Sequence, residues 1–281
     1  MSRGFYAAAS AMMSDMSRFD VIANNLANVN TTGFKRSQSV HHDFRQGFIQ
    51  RIHHERALAG VSESGDFAPR YVPLPPAGVG ELGTGTLVQS TWNDFQHGTL
   101  EKTEGPLDVA FQSEGFFVLE NTGPGAAQQP YLYSRDGAFQ RNADGELVTA
   151  RGLRVMGQLT GERAGQGGPI YISDKYPVSI DEQGGVWQNN TRIATLKVVD
   201  FDNPQLLLNR GNQVFESLPE QVAFESIPVL KQGYLERSNV DVAGEMVNMI
   251  TAMRAYQISQ KALQSEDEMT DKAVNTVGRV G

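Results

Sequence analysis

The strongest constraint on this chain of 281 residues is that apolar helical seams sit at its two ends, with no helix of comparable length between them. Near the N-terminus Phe5, Met12, Phe19 and Leu26 recur at every seventh position, and Ala9, Met16 and Ala23 follow the first three by four. That spacing puts the side chains on one stripe of an α-helix, widened by Ala8, Ile22 and Val29. At the other end Met246, Met253, Gln260, Asp267 and Val274 form a second seven-residue series, accompanied by Met249, Tyr256, Leu263, Thr270 and Val277. This second seam is apolar at its ends and polar in its middle.

The first helix is expected to stop at Thr31-Thr32-Gly33, where glycine supplies a left-handed exit. The second is expected to start at a cap provided by Asn239 or Asp241, with Glu245 favoured in its first turn by the helix dipole, and to end at Gly278. At 1.5 Å per residue each helix would be about 45 to 55 Å long, so the two must pack on each other or on other chains. Their charges suit a pairing. Residues 1 to 36 carry four basic and two acidic side chains, whereas residues 235 to 281 carry five basic and seven acidic ones. Exposed pairs contribute only about 0 to 1 kcal/mol each, so apolar burial is the larger expected term.

Between the ends, Val40, Phe44, Phe48 and Ile52 recur every fourth residue, which predicts a short amphipathic helix within 37 to 58. Four prolines and many glycines then predict an extended loop over 60 to 86. From 87 to 233 the pattern is strand and turn: GFFVLE at 115 to 120, LRVMG at 153 to 157, PIYIS at 169 to 173 and IATLKVVDF at 193 to 201. Asp136-Gly137 and Asp144-Gly145 fall between such runs, where hairpin turns belong. The expected fold is α+β, with long terminal helices forming a coiled-coil-like pair and a central, mainly antiparallel β domain. Its expected segments are 1–36, 37–86, 87–233 and 234–281.

Composition excludes several functions. A formal charge of -8 leaves no basic footprint for nucleic acid. The absence of cysteine removes disulfides, thiolate metal sites and thiol nucleophiles. No apolar run approaches the roughly 20 residues of a spanning helix, and the polar residues from Ser10 onward interrupt any signal-peptide reading, so the N-terminus is expected to be retained and no membrane insertion is expected. Gly78-Val79-Gly80-Glu81-Leu82-Gly83 spells a dinucleotide-binding pattern, but Pro75-Pro76 precedes it where a strand is needed. His41, His42, His53 and His54 lack the spacing and supporting residues of a metal centre. The carboxylates single out no pair able to act across a sugar, so no catalytic residue, cofactor or metal is assigned. Asn24, Asn25, Asn28 and Asn30 weaken the end of the first helix; their amides serve either as local caps or as bonds to a neighbouring subunit.

The segment VIANNLANVNTTGFKR at 21 to 36 resembles the N-terminal signature of the bacterial flagellar rod, hook and hook-filament junction proteins. GYLERSNVDVAGEMVNMITAMRAYQISQKALQSEDEM at 233 to 269 resembles the matching C-terminal signature, and the stretches at 105 to 120 and 133 to 157 are similar to the core domain of the hook and rod proteins. The resemblance covers more than half of the chain, in the right order. It implies a structural subunit of the flagellar basal-body rod, of the proximal or distal type with one β domain. Such a subunit polymerises through terminal helices that form the inner tube between motor and hook, around an export channel. The implied partners are copies of itself, neighbouring rod and hook axial proteins and the flagellar type III export apparatus, with the rings around the rod as a further candidate; the implied location is the periplasmic part of the basal body. A hook-type axial protein is the alternative within the family, and a periplasmic peptidoglycan-cleaving enzyme the alternative outside it. The expected assembly interface comprises Phe5, Met12, Phe19, Ile22, Asn24, Asn25, Leu26 and Asn28 on the first helix, with Asn239, Met246, Met249, Met253, Tyr256 and Leu263 at or on the second.

Overall fold

A computed structural model describes the chain except for residues 1–2, 44–46, 52–55, 60–69, 74–76, 83–85, 123–128, 161–166, 219–220 and 278–281. Two helices bracket a β-rich centre: α1 covers Arg3–Ala27 and α2 covers Val242–Val277. The α+β class and the antiparallel character of the centre therefore hold. Six alanines and three methionines in α1 favour helix intrinsically. With 25 residues it is about 37 Å long, shorter than expected, because the chain turns through Asn28 to Gly33 before its next strand. Gly33 has the positive φ of 65° anticipated for it. At the head of α2 the cap is Asp241, whose carboxylate accepts from the backbone N–H groups of Ala243 and Gly244 at 3.2 and 3.1 Å. The expected stop at Gly278 lies outside the described residues.

The chain divides into two compact units. One comprises residues 20–38 and 91–249, the other residues 1–19, 39–90 and 250–281. The last turns of α1 and the first turns of α2 thus belong to the same unit as the β centre, where Ile22, Asn25, Glu245 and Val240 are buried. This corrects the picture of terminal helices lying wholly outside the β domain.

That first unit holds a six-stranded sheet in the order Leu208–Asn209, Val214–Glu216, Tyr131–Ser134, Phe116–Glu120, Val198–Phe201 and Ala223–Glu225. A five-stranded sheet runs in the order Gly167–Pro169, Met156–Leu159, Thr191–Leu196, Gly185–Gln188 and Val178–Ile180. All the paired strands whose register is resolved are antiparallel. Strand Phe116–Glu120 is apolar on successive residues because both of its faces are covered. Phe117 and Leu119 join a core with Val109, Phe111, Leu147, Ile170 and Val186. Phe116 and Val118 join a second with Tyr133, Phe201 and Phe215. Edge-to-face contacts link Phe116 to Phe95, Phe201 and Phe215 at 5.3 to 6.1 Å between ring centres.

In the other unit the segment expected as a short helix is extended, with strands Ser37–Asp43, Gly47–Arg51 and Arg56–Ala59. The reason is arithmetic: a spacing of four is also a multiple of two, so the same letters fit the period of a strand as well as that of a helix. Phe44 and Ile52 lie outside the described residues. The supposed loop at 60 to 86 likewise contains strands Arg70–Pro73 and Ala77–Leu82, the latter pairing with Gly47–Arg51. The glycine-rich letters from Gly78 to Leu82 therefore sit within a strand and not at the start of a helix.

Of the two Asp-Gly steps, Asp144-Gly145 makes the expected turn between strands Phe139–Arg141 and Leu147–Thr149, with Gly145 at φ +83°. Asp136-Gly137 does not. Gly137 is glycine because backbone passes against it: an added Cβ would lie 1.7 Å from the Val109 carbonyl oxygen. Gly137→Ala should force the strand Val109–Phe111 away and destabilise the β-rich unit by about 1 to 3 kcal/mol, an overpacking cost. Urea unfolding checks this, and an unchanged midpoint would show that the approach is less tight than described.

Candidate functional site: a polar clasp between the chain ends and two exposed helical faces

The residues that follow α1 and those that precede α2 meet in the first unit. Gly33 donates its N–H to the Glu236 carbonyl at 2.8 Å, in a left-handed conformation and so close to Asp136 that a Cβ would stand 2.7 Å from its Cα. Two residues on, Lys35 is 2% exposed and donates from Nζ to Glu236 Oε1 at 2.6 Å and to the Gln96 carbonyl at 2.7 Å. Gly98 N–H reaches the same Oε1 at 2.8 Å. Next, Arg36 donates its backbone N–H to Asn239 Oδ1 at 2.8 Å, while Asn239 Nδ2 donates to the Asp94 and Gln96 carbonyls at 2.8 and 3.1 Å. The Arg36 guanidinium lies 2.7 Å from Glu245 Oε1 without aiming an N–H along that line, so the contact is coulombic in character. Three chain segments, 32–37, 93–98 and 235–245, are thereby tied through ions and amides. The complementary charges read in the two ends do meet, though at a buried site and not on the surface.

Asn25, 1% exposed, treats Ser37 as a strand partner: its Nδ2 donates to the Ser37 carbonyl at 2.8 Å and its Oδ1 accepts the Ser37 N–H at 2.9 Å. Ser37 Oγ donates to Asn93 Oδ1 at 2.8 Å. Asn28 closes the end of α1 by donating Nδ2 to the Asn24 carbonyl at 2.9 Å, and Asn30 Oδ1 accepts from Arg237 at 3.2 Å. The amides of Asn25, Asn28 and Asn239 are thus engaged within the chain, and Ile22 is buried. Asn24 remains exposed.

Burial shapes the electrostatics. It pushes Lys35 down to about 8, the nearby Glu236 carboxylate recovering part of the loss and Arg135 adding to it. Burial and Arg135 likewise hold His97 below the usual imidazole value, although Glu236 opposes them. Asp136 is raised by burial, against the hydrogen bond that Thr32 Oγ1 donates to it at 2.8 Å. Arg135 is itself almost fully buried, donating to the Gly115 and Phe95 carbonyls at 3.1 and 2.9 Å with its guanidinium 5.2 Å from the Phe116 ring centre. Lys35 and Arg135 are held by Glu236 and by backbone carbonyls, while Asp136, engaged by Thr32, also lines a pocket of about 200 Å³ with Ser134, Thr149 and Arg151. His41 is similarly occupied, its two ring nitrogens lying 2.6 Å from Ser14 Oγ and 2.9 Å from Ser39 Oγ.

The helical faces are a second feature. On α2, Met246 and Met253 are 53% and 47% exposed, and Ile250 between them completes an i, i+4, i+7 stripe. Tyr256 and Ile258 are also exposed, while Met249 and Leu263 are half-buried. On α1, Phe5, Met13 and Met16 are exposed, and Met12, Phe19 and Leu26 are half-buried. Among the described residues no helix is long and apolar enough to cross a membrane, so these side chains do not form a spanning segment.

Comparison with known proteins identifies the family. The Flagella basal body rod protein model matches residues 5–35, the FlgE/F/G hook-protein D1 domain model matches 110–188, and the rod FlgEFG C-terminal model matches 231–276. The flagellar basal-body rod protein FlgG of Borreliella burgdorferi is 33% identical over 98% of this chain and 98% of its own length. The FlgG of Agrobacterium fabrum is 32% identical over 95% and 96%, and the FlgF of Caulobacter vibrioides 27% identical over the whole of both. The chain belongs to the flagellar basal-body rod protein family. It is a structural subunit of the rod, and its place is the flagellar basal body. In this rod protein the two terminal family matches take in the two halves of the clasp, Lys35 at the end of one and Glu236 at the start of the other.

Sequence reasoning missed the clasp as a site. Lys35, Arg36 and Glu236 stand within the quoted signatures, but their burial depends on the loop 93–98, which carries no motif of its own. Lys35→Met should destabilise this unit by about 3 to 5 kcal/mol, since it strands Glu236, and Lys35→Met with Glu236→Gln should recover most of that loss in urea unfolding. Because the folded pKa of Lys35 lies below its unfolded one, the folded chain binds fewer protons between about pH 8 and 10.5, and the Lys35 share of stability rises with pH across that window. Its Cε resonance should titrate near pH 8; a midpoint near the ordinary lysine value would show the site to be wetter than described.

Proposed function

We propose that this rod subunit polymerises through the exposed apolar faces of α1 and α2, with copies of itself and with neighbouring axial proteins, as a FlgG-type component. The observation that carries the reading is the Met246, Ile250, Met253 stripe on α2, because a solvated helix gains nothing from two methionines and an isoleucine on one face. Met13, Met16 and Phe5 on α1 offer a second apolar surface. In the assembled rod these helices would pair in coiled-coil fashion around the export channel, with Met12, Phe19, Leu26, Met249, Tyr256 and Leu263 completing the contacts. The clasp supports the reading by tying the chain after α1 to the chain before α2 within the β-rich unit. The FlgG-type assignment is favoured by the higher identity to FlgG-named relatives, 33% and 32%, than to the FlgF-named one, 27%.

Within this proposal the subunit has no catalytic role. Its titratable clasp residues are engaged with one another, and family membership points to a structural part. It reaches the periplasmic section of the basal body through the flagellar export apparatus with its N-terminus intact, as its kinship with rod proteins suggests.

Met246→Asp and Met253→Asp test the reading. Both positions are about half exposed in the subunit, so unfolding free energy should change by no more than about 0.5 kcal/mol. Buried against a partner helix, an unpaired carboxylate costs several kcal/mol, so incorporation into isolated basal bodies and swimming should both be lost. Normal assembly of both variants would defeat the proposal, as would a large loss of subunit stability.

A further inference from the structure

We propose that a cleft on the β-rich unit, remote in sequence from both helices, is a receptor for a carboxylate side chain on an extended peptide segment of an adjoining subunit. The cleft has a volume of about 390 Å³ and lies between strands of the five-stranded sheet and the 225–228 segment, with Gln158, Gln183, Arg192, Thr195 and Lys197 among its lining residues.

Arg192 decides the chemistry. Its Nε is buried without a hydrogen-bond partner, and its guanidinium takes no hydrogen bond or ion pair among the described residues. The residue is half-buried and the Asp181 carboxylate beside it balances part of its charge, but its Nε–H is left without an acceptor, which a second anion would supply. The fold makes room for it twice over. The strand pairing slips between Val186 and Trp187, opposite Arg192, and such bulges re-aim side chains. Gly185 lies beneath the guanidinium, where a Cβ would stand 2.8 Å from Nε and 3.0 Å from Nη2. The nearest carboxylate, Asp181, is already engaged by the Trp187 indole N–H at 2.8 Å and by the Gly185 and Gln183 backbone N–H groups at 2.6 and 3.0 Å. Lys197 adds a second positive charge, only loosely matched by Glu225 at 3.5 Å.

The neighbouring surface selects a peptide over a free anion. Ile227, 82% exposed, and Pro228 form an apolar wall of the cleft, and Val229 continues the exposed apolar surface. Ser226 donates its N–H to the Val198 carbonyl at 3.2 Å and so holds this wall against the six-stranded sheet. Cationic head, amide and hydroxyl flanks, and apolar rim match an Asp or Glu side chain presented between aliphatic neighbours. The site stands on the β-rich unit alone, so it survives or fails independently of the helix-mediated assembly proposed above.

The probe is the peptide acetyl-Val-Glu-Val-Thr-amide, titrated into the full-length chain at a concentration where sedimentation shows a monomer, with the Arg192 Nε–H resonance as the readout. Its Gln counterpart and N-acetylmuramic acid are run beside it. The Glu peptide should shift the Arg192 resonance and bind at least about tenfold more tightly than the Gln peptide, a discrimination of about 1.4 kcal/mol. Arg192→Gln should abolish that discrimination and Arg192→Lys should keep part of it, with thermal melting of both variants confirming an intact fold. Equal binding of the two peptides, no shift at all, or discrimination that survives Arg192→Gln would overturn the proposal. N-acetylmuramic acid binding as tightly as the Glu peptide would overturn the peptide assignment.

Discussion

The ion pair between Lys35 and Glu236 is the contact on which the rest of this subunit's organisation depends. It joins residues 201 positions apart in sequence, at the two places where the terminal segments enter and leave the β-rich unit. Around it, Gly33, Arg36 and Asn239 satisfy backbone and side-chain groups that would otherwise be buried without partners. Apolar packing could have joined the two ends, and with less desolvation. What ions and amides add is direction: a charged hydrogen bond at 2.6 Å tolerates little rotation, and an asparagine that accepts from one segment and donates to another fixes their register. Under the proposed assembly, in which the terminal helices meet partners outside the chain, that directionality serves more than a gain in stability would.

The arrangement separates two tasks that the sequence presents as one. The inner ends of the helices, from Ile22 and Asn25 on α1 and through Glu245 on α2, are built into the subunit. The stripe that begins at Met246 and runs through Ile250 to Met253 stays in water. A single turn of α2 therefore turns one side, Glu245, into the clasp and the adjacent side, Met246, outward. The polar middle of the second seam, Gln260 and Asp267, is likewise exposed.

The β-rich unit gains its rigidity from phenylalanine. Phe116 and Phe117, neighbours in one strand, point into different cores, and Arg135 lies over Phe116 while holding two backbone carbonyls. A buried guanidinium with fixed acceptors couples the aromatic core to the loop 93–98, and that loop supplies Gln96 and Gly98 to the clasp. Packing in the sheets thus positions the groups that position the helices.

By itself the sequence determined the two terminal helices, the antiparallel centre and the family, because heptad spacing, hairpin turns and the quoted signatures are local patterns. Phe5, Met246 and Met253 could be read as exposed or interfacial candidates for the same reason. It misread residues 37 to 58 as helix, since a spacing of four serves both periodicities and pairing with Gly80 and its neighbours decided for strand. It also left open whether the asparagines cap or recruit. The folded chain supplies Asn25, Asn28 and Asn30 with partners of its own by bringing Ser37, Asn24 and Arg237 within hydrogen-bond reach. Lys35 and Glu236 carried no sign of burial in their own neighbourhoods, because burial is a property of what arrives from elsewhere in the chain; only the folded β-rich unit turned two ordinary charges into the joint between its ends.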